Sequence, residues 1–413
     1  MRIRSITSFF DPGLPDARTT LRVLAKISAT LKKEISDQHF PVLSTRIATV
    51  PFPHFMIGKT TSDNLKIVSE LDEETRLLGW DYLSLGPAQP GQAAGYSLIP
   101  EFLSKSERIF CSALIAEGGR LFPSAAAASA EIIHAASEIS DDGFANLRFA
   151  ALAQVPANTP FLPAAYHQKD MPPAISLAIE CADVVIDAFS QNETISQGQE
   201  FLLSTFENAA HAMEQTIQRV LESSGVVFRG FDFSPAPFPI DSCSLAGGME
   251  KLGLEHIGGI GSLAAVAVLA DTLDRGRWHR AGFNGMMLPV MEDSVLARRA
   301  EMGMLSVHDL LLYCTVCGTG LDTIPLPGNT TREELMAVLM DVGTLSARLG
   351  KPLTARLMPL PGRKAGDRVH FDFDYFADSR VMALNAQKIS SPLRDEDSIQ
   401  FTPRKPAEFF PPL

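Results

Sequence analysis

Two histidines and a glutamate in this sequence can transfer protons, and each lies in a short loop after an apolar run. His54 lies in "FPHFMIGK", His167 in "FLPAAYH" and Glu117 in "AEGGR". An imidazole titrates near neutral pH, so a histidine in a cleft can act as a general base or acid. We therefore predict that His54, His167 and Glu117 are catalytic. The alternative for each histidine is a hydrogen-bonded residue that holds its loop.

Three further carboxylates have the chemistry of a cation site. Asp232 lies in the proline-rich loop "FDFSPAPFP", and Glu292 and Asp293 are adjacent in "PVMEDS". Neighbouring carboxylates can hold a divalent cation through their oxygens, or share one proton. If the protein uses a divalent cation, we predict its ligands to be Asp232, Glu292 and Asp293. The alternative is that Glu292 and Asp293 begin the helix "EDSVLARRAEM" as favourable N-terminal charges.

The motif "YCTVCGTGLDTIPLPGNTT" places Cys314 and Cys317 with two residues between them, before a glycine-broken turn. A structural zinc site needs four ligands, and the other three cysteines stand alone in the sequence. A redox pair would begin a helix, whereas "SVHDLLLY" predicts a helix that starts after Ser306 and ends near Cys314. Two interpretations are favoured over a zinc site and a redox pair. Both cysteines are small buried side chains, or Cys317 is catalytic and Asp322 on the next strand binds substrate.

Anion-binding groups occur in two further motifs. "GGIGSLAA" resembles a dinucleotide-binding loop, but no clear strand precedes it and no acidic residue follows about 20 positions later, so we do not expect NAD. The bare amides of Gly259 and Gly261 can instead bind an anionic group of a substrate, or the glycines allow close helix packing. Arg356 on "PLTARLM" and Lys364 in "RKAGD" suit a carboxylate or phosphate. For Lys364, a solvated hairpin is the alternative.

The elements that position these residues follow from the apolar pattern, which alternates between strand-like and helical runs. About ten runs are strand-like: "IRSITSF", "STRIATV", "DYLSLG", "RIFCSALI", "ANLRFAALA", "AISLAIE", "GVVFRGFDF", "GMMLPV", "GLDTIPL" and "PLTARLM". Helical runs occupy 16–35, 63–78, a short stretch near Pro100, 124–139, 195–222 and 262–274. This order predicts a parallel or mostly parallel sheet covered by helices, either closed into a barrel or open. No repeat or polar linker divides residues 1–413, so we predict one α/β domain.

The loops that follow the strands are the expected place for a site, because ligands collect outside the carboxyl ends of parallel strands. In a closed barrel, five predicted side chains would meet at one mouth: His54, His167, Asp232, Glu292 and Cys317. We predict that at least three of them line one cavity of about a few hundred Å³, the usual size for a small ligand.

Composition narrows the classes of function. The chain has 413 residues, of which 46% are hydrophobic and 20% charged, and a net charge of −12, which repels nucleic acid. The N-terminal "MRIRSITSFF" is not a signal peptide, and no run of about 18 apolar residues predicts a membrane span. Five cysteines without a secretory signal fit a reduced compartment. We therefore expect a cytoplasmic protein with no nucleic-acid or membrane partner, and we expect a homo-oligomer.

Several motifs taken together resemble those of the family called domain of unknown function 711, which is also labelled pyruvate-formate-lyase-like. They are "FPHFMIGK", "FLPAAYH", "GFNGMMLPVMED", "CTVCGTGLDTIPLPGNT" and "LMPLPGRKAGDRVHF", and they span about residues 50 to 375. The resemblance implies a single large α/β barrel of about ten strands with surrounding helices, similar to the barrel of the glycyl radical enzymes. In those enzymes, a hairpin loop enters the barrel and carries a cysteine to the substrate.

One departure from the glycyl radical pattern decides the chemistry that we expect. The radical is stored on a loop of the type Arg-Val-Ser-Gly-Tyr, whereas "SRVMALN" has Met382 and Ala383 in place of Ser-Gly. We therefore expect no glycyl radical. We predict an enzyme that acts on a small anionic metabolite by acid/base chemistry, with or without a divalent cation, as a lyase or hydrolase. The alternative is a metabolite-binding regulatory protein without turnover.

Overall fold

The structure is a computed structural model that describes residues 1–56, 58–316 and 319–403. The strands are β1 (Arg2–Phe10), β2 (Thr45–Thr49), β3 (Tyr82–Ala88), β4 (Ile109–Glu117), β5 (Arg120–Leu121), β6 (Phe149–Ala153), β7 (Ala174–Glu180), β8 (Val227–Ala236), β9 (Gly320–Pro327), β10 (Leu353–Leu360), β11 (Arg368–Val369), β12 (Ser379–Arg380) and β13 (Ile399–Gln400). The helices are α1 (Ala17–Ser36), α2 (Pro53–Met56), α3 (Thr61–Leu77), α4 (Ala93–Lys105), α5 (Pro123–Ser137), α6 (Ala182–Ser190), α7 (Ile195–Leu221), α8 (Leu245–Glu250), α9 (Ser262–Arg275), α10 (Ser294–Glu301), α11 (Val307–Tyr313) and α12 (Arg332–Leu349).

A large central sheet organises the α/β fold, with strand order β8-β7-β1-β2-β3-β4-β6-β10-β9. Strands β1, β2, β3, β4 and β6 are mutually parallel. On one side β7 pairs antiparallel with β1, and on the other β10 pairs antiparallel with β6. At the edges β7 pairs with β8, and β10 with β9, in parallel again, so the sheet is mostly parallel, as predicted. The two antiparallel pairings were not predicted, because an apolar run reports burial on both faces and not strand direction.

The strand ladders of the described residues do not close into a barrel. β8 and β9 end the sheet, and the predicted strand "GMMLPV" is an extended segment without a ladder. The longer stretch 279–290, which contains this segment, touches both edges, since 279–281 is hydrogen-bonded to β8 and Val290 to β9. Gly282 and Asn284 have positive φ angles of 74° and 47°, which interrupt a strand conformation between the two contacts. The turned backbone explains why no ladder forms there.

Helices cover the outer face of the sheet. The buried residues of α1 recur at helical spacing, from Leu21 and Leu24 to Leu31 and Ile35, and pack on β1 and β2. Each fully buried leucine of this kind stabilises the fold by about 1.5–3 kcal/mol. Local caps fix where helices begin: at α7 the Thr194 side chain accepts from the Gln197 amide in a capping box. Within the three described ranges, no helix has the length and apolar character that crossing a bilayer requires.

The inner face of the sheet holds the loop 155–167, which we call the inner loop. Side chains alternate along β1, so the Ser8 hydroxyl meets α1 while the Thr7 hydroxyl donates to the Pro160 carbonyl at 2.7 Å. Ser84 of β3 donates to the Ala165 carbonyl at 2.8 Å. These short side chains leave room for the loop and satisfy carbonyls that would otherwise be buried without a donor.

Candidate functional site

A cavity of about 870 Å³ lies on the inner face near the N-terminal ends of β1 to β4. Four neighbouring strands contribute Arg4, Arg46, Tyr82 and Phe110, each within the first three residues of its strand. The tip of the inner loop, 161–164, also lines the cavity. A cavity of this size suits a small-molecule ligand.

Two β-bulges direct charged side chains toward the cavity. On β1, Ile3 and Ser5 pair with consecutive residues of β7, so Arg4 between them has no opposite residue. On β9, Asp322 and Thr323 together face the single residue Arg356 of β10. Thr323 is buried with φ of 43°, a left-handed conformation that is strained for a β-branched residue. Bulges of this kind re-aim side chains and are frequent beside active sites.

A chain of alternating charges runs along this wall, and we call it the ion-pair chain. Its members in order are Arg2, Glu180, Arg4, Glu292, Arg356 and Asp322. Arg4 donates to Glu180 at 3.0 Å and to Glu292 at 2.8 Å. Arg356 donates to Glu292 at 2.7 Å and to Asp322 at 2.5 Å. Three cations and three carboxylates balance, so the ion-pair chain is neutral as a whole.

Asp322 ends the ion-pair chain and lines the cavity. Burial raises the pKa of its carboxyl, Arg356 opposes that shift, and the nearby Glu292 adds to it. For Arg356, burial works against the charged form, but Asp322 and Glu292 outweigh it and raise the pKa of the guanidinium. Arg356 therefore stays charged, while Asp322 has an increased affinity for a proton. Such a carboxyl in a cavity is a candidate general acid or base.

Arg46 is the cation on this wall that stands outside the ion-pair chain. Its Nε donates to the Ser44 hydroxyl at 3.0 Å, and its guanidinium carbon lies 5.8 Å from the Tyr82 ring centre. In the described part of the chain, its terminal nitrogens have no hydrogen-bond partner and no carboxylate pairs with it. Burial and the neighbouring Arg4 lower the pKa of Arg46 to about 10, so it remains charged at neutral pH.

The remaining arginines at the cavity are occupied by other groups. Arg148 donates to the carbonyls of Leu103 and Ser106 at 2.8 and 2.7 Å. Arg108 is paired with Asp72 and donates to backbone carbonyls nearby. Arg46 is thus the arginine whose hydrogen-bonding fork is left open to a ligand. Two parallel bonds from such a fork are the usual way in which arginine binds a carboxylate.

Sequence comparison places the chain in a family. A family model described as "Uncharacterised ACR (DUF711)" matches residues 1–379. The chain belongs to the DUF711 family. This confirms the family predicted from the motifs, while the link to glycyl radical enzymes remains a prediction.

Relatives of this DUF711 chain carry the name UPF0210 protein. One from Methanopyrus kandleri is 28% identical over 395 residues, which cover 88% of this chain and 87% of the relative. Another from Acetivibrio thermocellus is 28% identical over 371 residues, or 84% and 80% of the two chains. A third from Pyrobaculum aerophilum is 34% identical over 228 residues, or 53% and 51%. These names indicate no activity, so the cavity carries the functional argument.

The three residues predicted to be catalytic that the structure describes do not line the cavity. His167 is buried at the other end of the inner loop, where its ring nitrogens lie 3.1 Å from Asn158 Oδ1 and 3.2 Å from the Met171 carbonyl. Burial lowers the pKa of both His167 and His54. Glu117 is exposed at the end of β4. The fourth predicted residue, Cys317, lies outside the described residues.

The predicted common mouth is therefore wrong in its position. Of the five side chains expected to meet there, Glu292 lines the cavity and His54, His167 and Asp232 do not, while Cys317 is not described. The expectation rested on the carboxyl ends of parallel strands. In this fold the inner loop enters from that end, with the His167 amide bonded to the Thr49 carbonyl at 2.8 Å, and the cavity is left at the opposite end.

The carboxylates predicted to hold a metal bind donors of the chain itself. Asp232 accepts from the Phe283 and Asn284 amides at 2.7 and 2.9 Å, and Asp293 caps α10. Burial raises the pKa of both aspartates. Glu292 belongs to the ion-pair chain. Across the described ranges, no group of three or more histidine, cysteine or acidic side chains is arranged to hold a metal ion, so the predicted set does not form a shared metal position.

Among the residues predicted to bind substrate, Asp322 and Arg356 line the cavity. Gly259 and Gly261 lie in an exposed loop before α9, and Lys364 is exposed in a turn. None of these three lines the cavity. Their backbone roles are local, since Gly261 begins α9 with φ of 110°.

Sequence reasoning missed the arginines of β1 and β2. Arg4 lies in "IRSITSF" and Arg46 in "STRIATV", and each is the one charged residue inside an otherwise strand-like run. A charge there is a usable signal, because charged side chains are rarely buried unless they are paired or functional. Both residues lie at the starts of strands, whereas the loops that follow strands are the usual place for a site.

Proposed function

We propose that this protein is an enzyme that moves a proton on a small anionic metabolite held in the cavity, with lyase or hydrolase chemistry. One observation carries the proposal: Arg46, which lacks a carboxylate partner, and Asp322, whose proton affinity is raised by burial, line the same cavity. A free cation and a tunable acid in one cleft are the minimum needed to bind an anion and transfer a proton.

Each residue has a separate part in the proposed reaction. Arg46 binds the anionic group of the substrate and sets its orientation. Asp322 takes a proton from the substrate or from a water molecule and returns it to the leaving group, so its protonation state is restored after one cycle. Arg356 donates from Nε to the Asp322 carboxylate and from Nη2 to Glu292. It therefore acts as a positioning residue.

The test compares metabolite turnover by matched variants. The wild type is incubated with a cell metabolite extract, and substrate loss and product gain are followed by mass spectrometry. We expect catalytic turnover by the wild type and at least about a hundredfold loss in Asp322→Asn, since general acid/base groups contribute about 10²- to 10⁴-fold. The control is Asp372→Asn, an exposed aspartate on the rim of the same cavity, which should retain activity. Full activity in Asp322→Asn would contradict the proposed role.

A metabolite-binding regulatory protein is the second candidate. The pairing of Asp322 with Arg356 favours this regulatory role, because the contact stabilises the ionised carboxylate and makes Asp322 a weaker general acid. In the same experiment, a binding protein removes a metabolite only up to one equivalent of protein. Denaturation then returns that metabolite unchanged.

Other expectations from the sequence remain proposals. A barrel-like closure gains support from the contacts of 279–281 with β8 and of Val290 with β9, and from the inner loop inside the sheet. A divalent cation, a homo-oligomeric state and a cytoplasmic location are also proposed. Metal analysis, sedimentation and cell fractionation test these three directly.

A further inference from the structure

The chemical class of the ligand follows from the charge and the walls of the cavity. This ligand class rests on the proposed function for the cavity and for the anchor, Arg46. The residues that line the cavity indicate in addition the charge of the ligand, the shape of its anionic group and the nature of its body.

The open guanidinium of Arg46 indicates one anionic group. The cations of the ion-pair chain are paired with its carboxylates, Arg108 is paired with Asp72, and Arg148 donates to backbone carbonyls. Arg46 is left as the arginine of the described wall whose terminal nitrogens can pair with one negative charge of a ligand. A phosphate dianion would leave a second charge against Glu292 and Asp322, which line the same wall.

The geometry of Arg46 indicates a carboxylate. Its Nε is used by Ser44, which leaves the two terminal nitrogens side by side and open. This edge matches the two oxygens of one carboxylate. A phosphate would present a third oxygen to a second arginine. On the described wall, no second arginine has both terminal nitrogens open to bind it.

The walls beside Arg46 indicate a flat apolar body. Tyr82 on the next strand stands edge-to-face with Phe110, with ring centres 5.3 Å apart and planes at 76°. The lining also includes Phe161 and Leu162 from the tip of the inner loop, together with Phe283, and Leu162 belongs to the same apolar cluster as Phe110. These aromatic and aliphatic surfaces favour a ring packed against them, since rings pack well in offset or edge-to-face contacts.

We propose that the cavity binds an aryl monocarboxylate, with the carboxylate on the fork of Arg46 and the ring packed against Tyr82, Phe110 and the inner-loop tip. An acid of two or three carbons would leave most of the 870 Å³ to water. The ring removes that water from apolar walls and supplies most of the binding free energy.

The experiment measures dissociation constants of the full chain at pH 7.5 by isothermal titration calorimetry. The probes are 3-phenylpropanoate, butanoate and inorganic phosphate. We expect 3-phenylpropanoate to bind at least about tenfold more tightly than butanoate, because its ring buries further apolar surface. Phe110→Leu should reduce that ratio. If phosphate binds more tightly than 3-phenylpropanoate, the assignment of a carboxylate is wrong. If 3-phenylpropanoate and butanoate bind equally, the proposed contact with a ring is wrong.

The anchor is tested with matched charge variants. Arg46→Gln should weaken 3-phenylpropanoate binding by about tenfold or more, as expected for lost hydrogen bonds between charged groups. Lys105→Gln makes the same charge change on the exposed rim and should leave binding within about twofold. If circular dichroism shows that Arg46→Gln does not fold, Arg46→Lys replaces it, because lysine keeps the charge and lacks the two terminal nitrogens of arginine. Unchanged binding in the folded variant would overturn the anchor.

Failure of this inference can be told apart from failure of the proposed function. Asp322→Asn should bind 3-phenylpropanoate as the wild type does while losing turnover of extract metabolites. If turnover depends on Asp322 but 3-phenylpropanoate does not bind, the proposed ligand class is wrong and the proposed enzyme activity stands. Aryl acid binding without turnover would keep the ligand class and favour the regulatory protein.

Discussion

The two ends of the inner face of the sheet are built from the same strands but are filled differently. Toward the carboxyl ends of the parallel strands, the Ser84 hydroxyl binds the Ala165 carbonyl of the inner loop, and the Thr49 carbonyl accepts from the His167 amide. Near the N-terminal ends, Arg4, Arg46 and Tyr82 occupy the corresponding face and line the cavity. Side-chain size and polarity at a few strand positions therefore decide whether this face is packed or left as a cavity.

The two ends also differ in how fully their polar groups are satisfied. At the packed end, hydroxyl and amide donors meet carbonyls at ordinary distances. At the cavity end, Thr323 is strained, Arg46 lacks a counter-charge and Asp322 is held where burial disfavours its ionised form. Features that cost stability collect at functional sites, so this contrast supports the cavity end as the site.

The largest effect is expected from breaking the ion-pair chain in its middle. Glu292→Ala removes the carboxylate shared by Arg4 and Arg356, so the three cations of the ion-pair chain are left with two carboxylates, Glu180 and Asp322. We expect a loss of about 3–5 kcal/mol in the free energy of unfolding, measured with urea.

The control for Glu292 is Glu131→Ala, which breaks an exposed pair with Arg332. It should cost no more than about 1 kcal/mol. Similar small losses in both variants would mean that the ion-pair chain is as solvated as the surface, and the contrast between the two ends would weaken.

A smaller effect is expected at the packed end. Ser84→Ala leaves the Ala165 carbonyl buried without its side-chain donor, and we expect a loss of about 1–3 kcal/mol. Ser97→Ala, in an exposed position on α4, should change stability by less than about 0.5 kcal/mol. Urea unfolding measures both, and binding of 3-phenylpropanoate should be retained in Ser84→Ala. Lost binding there would show that the inner loop and the cavity are not separable.

A near-zero effect on stability is expected at the anchor. Arg46→Gln loses one hydrogen bond and a weak contact with Tyr82, but it also removes repulsion from Arg4 and a buried charge. We expect a change within about 1 kcal/mol in either direction. Arg4→Gln should cost about 3 kcal/mol or more, because Glu180 and Glu292 lose a partner. Equal losses would indicate that Arg46 is a structural residue.

A pH-dependent effect is expected from His167. Because burial lowers its pKa below 6.5 in the folded chain, the unfolded chain takes up the proton first as the pH falls. Stability should therefore fall on acidification from about pH 6.5 downwards, and His167→Gln should reduce this slope. The control His211→Gln lies on an exposed face of α7. An unchanged slope in His167→Gln would show that other groups cause the acid loss.

Much of the local structure could be predicted from particular residues. The run "AISLAIE" is strand β7, and the helix after Ser306 begins there because its hydroxyl accepts from the Asp309 amide. Asp293 begins α10 in the same manner, as the helical alternative for that acidic pair proposed. Such features depend on neighbours within about four residues, so the sequence states them directly.

The site could not be predicted in the same way. The loops after the strands were the expected place, and Asp322 and Arg356 were found while Arg4 and Arg46 were missed. Strand direction decided this outcome. Two antiparallel pairings, β1 with β7 and β6 with β10, bring Glu180 and Arg356 to the N-terminal ends of the central strands.

The sequence by itself determined the order of strands and helices, their caps and the family, because periodicity, capping and motifs are local. The tertiary structure alone decided that Arg4 meets Glu292, 288 positions away, and that Asp322 shares Arg356 with it. It also decided that the inner loop fills one end of the sheet. Contacts between distant segments depend on strand direction, register and bulges, and none of these leaves a periodic trace in the residues that make the contact.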